Sequence, residues 1–339
     1  MSSNMLEEAL ASADAVAAQL AAPQAVKQVA HVLASRERQV ALTVARGSSD
    51  HAASYFAGLA MSVIGLPVAS LPMSIATLEQ APLKVAHQFA FAFSQSGKSP
   101  DLVGTMTALR AAGALTVAAV NVEGSPLGDA CEYTLPLLAG PELSVAATKS
   151  YIAMLAMSAQ LVAHWKGDAS LLAALEGLPD ALRAAGALDW SPAVEALRDA
   201  DQMMVIGRGL SLAIAQEAAL KLKETSGIQA EAFSSAEVRH GPMELIDRDY
   251  PLLVFAPRGP AQQGLLTLAA DMRKRGARVL LAATDDVAER DLPLVTTADP
   301  MLDPIAAVVS FYVMAAALAV ARGRNPDTPR HLKKVTETH

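Results

Sequence analysis

At 339 residues the chain exceeds one comfortable domain, and two domains of roughly 150–170 residues are its natural division. The composition is 52% hydrophobic but only 4% aromatic, which predicts a core of Ala, Val and Leu in which helices pack closely on parallel strands. A net charge of −7 without a basic run argues against nucleic acid as a partner, and the single cysteine, Cys131, excludes an internal disulfide and a multi-cysteine metal site.

The N-terminal stretch 5–36 reads as amphipathic helix. Its opening, MSSNMLEEALAS, is acidic where a signal peptide carries positive charge, so a cytoplasmic protein is expected. Strand-like runs are then expected at 40–45, 67–71, 88–93, 115–120 and 132–137, with helical periods at 51–64, 101–112 and 148–165. Residues 166–200 read as a helical connector broken at Gly167, Pro179 and Pro192. The second half offers strands at 203–207, 229–233, 251–256, 278–283 and 293–297, and helices at 211–226 and 262–275. Such alternation predicts an α/β fold of parallel-rich sheets flanked by helices, a three-layer flavodoxin-like arrangement with ligands at the carboxyl ends of the strands. The uncharged stretch 304–321 is at the lower edge of spanning length, but it is alanine-rich and carries Ser310 and Tyr312. It is read as a buried helix, in the core or at a subunit interface, and no membrane is implied.

The two halves repeat each other. RGSSDHAASYFAG from Arg46 aligns with RGLSLAIAQEAAL from Arg208, 162 residues later, and LRAAGA (109–114) aligns with MRKRGA (272–277) nearly in step. Two matches in register predict duplicated domains of about 160 residues.

The stretch FAFSQSGKSPDL, 91–102, looks at first like the end of a nucleotide-binding P-loop. That template needs G-x-x-x-x-G-K-[ST], whereas its first glycine position here is Ala92, inside an apolar strand, and Pro100 follows Ser99 at once. The loop is too short to wrap a polyphosphate. It does gather Ser94, Gln95, Ser96 and Ser99 between a strand and a helix, a set of hydroxyls and amides suited to one phosphate monoester; a helix N-cap with spare serines is the alternative. The counterpart in the second half is APRGPA, 256–261, which lacks the hydroxyls, so one phosphosugar-sized site per chain is expected.

FSQSGKSPD resembles the phosphate loop of the sugar-isomerase (SIS) family, ARGSS its first glycine turn, and LSVAATKSY its V-A-[ST]-T-K segment. EAALKLKETSGIQAEAFSSAEVRHGPMELID closely resembles the corresponding block in the isomerase half of glucosamine-6-phosphate synthase, and DTPRHLKKVTETH resembles that enzyme's C-terminal lysine loop. The resemblance covers nearly the whole chain and implies two tandem SIS domains. The boundaries it suggests are a helical segment over 1–36, a phosphate-loop domain over 37–180, a second domain over 181–325 with the catalytic Glu and His, and a lysine tail over 326–339. Carried over position by position, it implies that Ser94, Gln95, Ser96 and Ser99 bind the sugar phosphate, with Ser49 and Val145 also on the substrate. It implies that Glu224 moves a proton between carbons 1 and 2, that His240 assists ring opening from the partner subunit of a homodimer, and that Lys334 meets the open-chain carbonyl. Lys221 and Glu217 match charged positions of the same helix. Ala147 departs from the pattern, where Ser or Thr is usual, and HLKKV leaves Lys333 as well as Lys334 for the tail lysine; Lys334 is favoured because it directly precedes VTET.

The same residues can be read from chemistry. Aldose–ketose interconversion needs a base that shuttles a proton between adjacent carbons and a group that serves the ring oxygen. Glu217, Lys221 and Glu224 fall near one helix face, although in isolation that spacing also suits a solvated charged helix. His240 precedes Gly-Pro and is expected on a loop. A lysine acts covalently once burial or a cationic neighbour lowers its pKa, and Arg330, His331 and Lys333 crowd Lys334; a disordered basic tail is the alternative. His31, His51, His87 and His164 lack metal-ligand spacing and are read as structural, so neither metal nor cofactor is expected.

The synthase begins with a glutaminase domain whose nucleophile is an N-terminal cysteine, whereas this chain begins MSSNMLEEA. The expectation is therefore the breakdown direction: a SIS-type glucosamine-6-phosphate deaminase giving fructose 6-phosphate and ammonia. Deaminases or isomerases of galactosamine 6-phosphate or fructosamine 6-phosphate, a plain phosphosugar isomerase, and a non-catalytic sugar-phosphate-binding regulator are the alternatives. The joint presence of Glu224, His240 and Lys334 speaks for catalysis.

Overall fold

The computed structural model describes residues 3–37 and 39–334; Val335–His339, the end of the tail motif, lie outside the described residues. The chain forms two compact units. The first-repeat unit comprises Asp14–Glu142, Lys149–Glu176 and the tail from Lys333; the second-repeat unit comprises the N-terminal residues to Ala13, Leu143–Thr148 and Gly177–Leu332. The N-terminal helix Asn4–Leu10 thus belongs with the later repeat. There the amides of Asn4 and Met5 donate to Asp327, and Glu8 accepts from the amides of Leu143 and Ser144.

In the first-repeat unit, β1 (Ala41–Val44), β2 (Val68–Ser70), β3 (Phe89–Ser94), β4 (Leu115–Val120) and β5 (Tyr133–Pro136) form a parallel sheet in the order β2-β1-β3-β4-β5. Three of the helices that cover it are α1 (Ser48–Leu59), α2 (Pro100–Ala111) and α3 (Lys149–Lys166). The FAFAFS of β3 is buried throughout because both faces of the sheet are covered. Side chains alternate along a strand, so its phenylalanines share one face and its alanines the other. On the aromatic face Phe56 of α1 meets Phe91 at 4.6 Å between ring centroids, and Trp165 of α3 meets Phe89 edge-on at 5.5 Å. On the opposite face Ala90 and Ala92 let Leu102, Met106 and Leu109 of α2 approach closely. Four of the seven phenylalanines, Phe56, Phe89, Phe91 and Phe93, therefore gather on this face.

The second-repeat unit repeats this plan. β6 (Gln202–Gly207), β7 (Gln229–Ser234), β8 (Pro251–Ala256), β9 (Arg278–Ala283) and β10 (Leu292–Pro293) form a parallel sheet in the equivalent order β10-β9-β8-β6-β7. Helix α4 (Leu210–Lys221) follows β6, α5 (Gln262–Lys274) follows β8, and α6 (Asp303–Ala321) runs through the core. Leu252, Val254 and Ala256 face α5, while Phe255 on the other face packs against Trp190 and Phe311. Helix α6 is long and apolar enough to cross a membrane, yet it is 78% buried. Its polar groups are satisfied within the unit: Ser310 donates to the carbonyl of Ala185 and Tyr312 donates to Glu217.

The duplication extends to backbone detail. Gly47 and Gly209 precede α1 and α4 with almost the same angles, φ +54 and ψ −133 against φ +60 and ψ −133, a region closed to residues with a Cβ. Both helices then end in a π turn, Ala60–Ile64 and Leu222–Ser226, closed by Gly65 and Gly227 in the left-handed conformation. The expected helices 51–64 and 211–226 are therefore α-helices continued by π turns. The strand expected at 293–297 is only the two residues of β10, because Asp303 draws the amide and hydroxyl of Thr297 away from the sheet edge. In the connector, Pro179 and Pro192 open the helices Leu178–Gly186 and Ser191–Leu197 rather than breaking one; proline fits a first turn, whose amide has no intrahelical partner.

Candidate functional site

The loop from Ser94 to Ser99 leaves the carboxyl end of β3 and enters α2. Ser94 is buried, and its hydroxyl accepts from the amide of Gly97 at 3.0 Å; the hydroxyl of Ser96 accepts from the amide of Lys98 at 3.3 Å. These bonds fold the loop on itself. Gly97 has φ +65, and a Cβ there would lie 2.3 Å from the Ser125 hydroxyl, so the tight turn admits only glycine. Ser99 is the N-cap of α2 by position, yet its side chain makes no capping hydrogen bond. Its hydroxyl is not spent on capping the helix. Lys98, the lysine of the P-loop look-alike, is exposed and is not part of the cavity lining.

The cavity beside this loop has a volume of about 300 Å³. Ser49, Ser94, Gln95, Ser96 and Ser99 line it, and so does Lys334 of the tail. The structure thus brings together five of the expected binding residues and the favoured tail lysine. It adds Arg46, which the sequence showed in the repeat and in the ARGSS turn without placing it on a ligand. The Arg46 guanidinium donates from Nε at 3.1 Å and Nη2 at 2.9 Å to the Oδ2 of Asp101, a buried carboxylate whose Oδ1 accepts from the amide of Leu102. The remaining N–H groups of Arg46 give the serine loop a cationic wall.

Lys334 is held by a residue that sequence reasoning missed. Its Nζ lies 3.3 Å from Oε2 of Glu142. The Glu142 side chain has no exposed surface and accepts from Ser150 through both the amide, at 3.0 Å, and the hydroxyl, at 2.7 Å. The tail lysine therefore sits against a buried acid. The available signal was a glutamate three residues before Val145, ahead of the lysine-bearing VAATK segment; Lys149 of that segment donates to the carbonyl of Pro141. Lys333 is exposed and does not line the cavity.

A larger hollow, about 640 Å³, opens beside Gln39, Gln88 and Trp165. It lies at the amino ends of β1 and β3, whereas ligands of parallel sheets bind at the carboxyl ends, so the smaller cavity is the functional candidate.

The other expected residues belong to the second-repeat unit. Lys221 closes α4 and is 1% exposed; its Nζ lies 2.5 Å from Oε2 of Glu224 and 3.4 Å from Oε1 of Glu217. Glu224 sits on the π turn with 18% of its side chain exposed, and Glu217 is fully buried. Burial works against a charged Lys221, but the two carboxylates outweigh it and raise the amine above its ordinary value, so it is an ammonium at neutral pH. The spacing is not that of a solvated helix: the cluster is internal, and Glu224 is its exposed end. His240 is exposed on a 3₁₀ turn, Glu237–His240, before Gly241, as its Gly-Pro neighbour suggested. Val145 uses its amide to donate to the carbonyl of Asp327. In the first-repeat unit, burial pushes the Cys131 thiol up to about 12, which leaves it without nucleophilic character. Among the described residues no cluster of metal-ligating side chains occurs.

A model of the SIS domain matches residues 35–164 and again 196–321. The chain is 35% identical over 316 residues to the isomerising glutamine–fructose-6-phosphate aminotransferase of Aeropyrum pernix, covering 86% of this chain and 50% of that protein; it spans about half the length of this relative. Among solved structures, a candidate phosphosugar isomerase from Silicibacter pomeroyi DSS-3 is 40% identical, with a TM-score of 0.91 and coverage of 96% of this chain and 100% of the other. A glucosamine-6-phosphate deaminase from Thermotoga maritima shares the fold at 21% identity, with a TM-score of 0.75 and coverage of 99% and 100%. With one sheet order, one glycine turn and one π turn written into both halves, the chain belongs to the SIS domain family and carries that domain twice.

Proposed function

We propose that the chain is a glucosamine-6-phosphate deaminase, which isomerises the opened amino sugar and releases its amine to give fructose 6-phosphate and ammonia. One observation carries the reading: the serine loop after β3 and the amine of Lys334 line a single cavity. A hexose 6-phosphate has two corresponding poles, a phosphate at one end and a carbonyl at the other. The Aeropyrum pernix relative is named as an isomerising aminotransferase of fructose 6-phosphate. Deamination is that chemistry run toward the ketose, with water displacing the amine.

In this reading the loop hydroxyls, the N-terminus of α2 and the Arg46 guanidinium take the phosphate. His240, contributed by the partner in a homodimer, serves the ring oxygen as the sugar opens, and Lys334 meets the carbonyl. Glu224 removes the proton from carbon 2 and returns it to carbon 1. Carbon 1 is thereby reduced from aldehyde to alcohol and carbon 2 oxidised from amine to imine, with no external redox partner. Water adds to the imine, ammonia leaves, and the ketone remains. The ammonium of Lys221 steadies the Glu224 carboxylate while it waits for the proton.

A second reading, plain aldose–ketose isomerisation of a phosphosugar, is favoured by the 40% identity to the Silicibacter pomeroyi protein. It needs the same cup and the same base but no amine at carbon 2. An assay panel separates the two: glucosamine, galactosamine and fructosamine 6-phosphates scored for ammonia, and aldose 6-phosphates scored for ketose. Ammonia from glucosamine 6-phosphate, abolished by Glu224→Gln with fructose 6-phosphate binding retained, is the expected result. Ketose formation without ammonia on any substrate would select the isomerase, and binding without turnover would select a sugar-phosphate sensor. Light scattering tests the homodimer, for which a single-chain mass is the adverse result.

A further inference from the structure

The longest apolar helix of the chain carries a buried phenol hydroxyl that points at the acid–amine cluster. Tyr312 of α6 is fully buried and donates to Oε1 of Glu217 at 2.8 Å. Glu217 lies 3.4 Å from the Lys221 ammonium through the same oxygen, and Lys221 lies 2.5 Å from Glu224. The four groups form one chain that starts in the core at Tyr312 and ends at Glu224, the member with the greatest exposure. Helix α6 could fill its place in the core with phenylalanine. Burying a phenol hydroxyl there is costly unless it is hydrogen-bonded, and its bond goes to Glu217.

We propose that Tyr312 is a positioning residue for the proton-transfer base: by fixing Glu217 it sets how the Lys221 ammonium is shared between Glu217 and Glu224. This rests on the reading of Glu224 as that base. The physical logic is competition for one cation. With the Tyr312 hydroxyl in place, Oε1 of Glu217 is satisfied in part by the phenol and takes only part of the Lys221 charge at 3.4 Å. Without it, the fully buried Glu217 loses a donor and draws the Lys221 ammonium more strongly, away from Glu224. A Glu224 carboxylate that loses part of this ammonium is less firmly held for the transfer between two carbons. Glu224 stands on the π turn, three residues past Lys221 and in contact with it.

The test compares Tyr312→Phe with Ser310→Ala. Both remove one buried hydroxyl donor from α6, but Ser310 donates to the Ala185 carbonyl and takes no part in the chain. The first measurement is exchange of the carbon-1 protons of fructose 6-phosphate in heavy water, followed by NMR, which reports proton transfer whether or not an amine is ever lost. Tyr312→Phe should slow exchange by about tenfold at unchanged half-saturation, the scale of one hydrogen bond to a charged group, and Ser310→Ala should match wild type. Equal rates in Tyr312→Phe and wild type, or equal losses in both variants, would overturn the inference. The second measurement is NMR of protein labelled at its lysine Nζ groups, with Lys221 assigned from Lys221→Met. The Lys221 signal should change position and exchange faster with water in Tyr312→Phe alone; an unchanged signal overturns the inference even if wild type proves inert toward every sugar. An altered Lys221 signal with no sugar chemistry in wild type would instead leave the coupling standing and remove the proposed reaction.

Discussion

The amine of Lys334 rests 3.3 Å from the carboxylate of Glu142, a side chain with no exposed surface that is itself anchored by two donors from Ser150. The last described residue is thereby tied beside a loop about 240 positions earlier in sequence, in one cavity. Removing the charge but keeping the shape, as Glu142→Gln does, should lower turnover by about tenfold while the melting temperature moves little, because a pair with a part-exposed amine is worth about 1 kcal/mol. Glu142→Ala also strands two Ser150 donors and should cost a further ~2 kcal/mol in denaturant titrations. Turnover equal to wild type in Glu142→Gln would show that the pair does not position the lysine.

The cup is tested by binding rather than turnover. Arg46→Ala should weaken fructose 6-phosphate and inorganic phosphate alike by roughly 10-fold to 100-fold in calorimetry, since a charge-assisted hydrogen bond contributes about 1.5–3 kcal/mol. Affinity for a sugar without phosphate should not change. Gly97→Ala forces a Cβ to 2.3 Å from the Ser125 hydroxyl in a left-handed backbone, so it should abolish phosphate binding and lower stability by about 1–3 kcal/mol. Retained phosphate affinity in Gly97→Ala would move the binding site away from this loop.

Lys221 gives a stability prediction with a definite sign. Its amine is raised above the ordinary 10.5 of lysine in the fold, so its contribution is fully present below pH 10.5 and fades as pH climbs through the folded value. Wild type should therefore lose stability in that alkaline window, and Lys221→Met should not. At neutral pH the same variant leaves two carboxylates facing each other in the core and should lose about 3–5 kcal/mol. Pairing it with Glu217→Gln should recover part of that loss; no recovery would mean the cost is one of packing and not of charge.

Cys131 should be inert in the native protein. Its thiol is buried and pushed up to about 12, so at pH 8 a thiol reagent should label it only after unfolding. Rapid labelling without denaturant would show that the segment around β5 opens readily.

What the sequence determined by itself was the repeat and its chemistry-bearing loops. Short apolar runs set between glycine turns marked the parallel strands almost one for one, because continuous apolar runs and turn residues are local signals. The serine loop was legible for the same reason, and the blocks that contain Glu224 and His240 stood out by their length. The exceptions share a physical cause. The π turns are invisible to a helical period, since they differ from it by one residue in five. The shortness of β10 depended on Asp303 claiming Thr297. Glu142 and Tyr312 carry no motif, and Arg46 stands in one that does not name its partner; what they meet, Lys334, Glu217 and the lining of the serine-loop cavity, was brought close by folding. Only the tertiary structure could decide them, because a hydrogen bond or ion pair between distant positions leaves no pattern in a single chain's order. It also decided that the Glu217–Lys221–Glu224 face is internal, since the same spacing on an exposed helix would have been solvated charge.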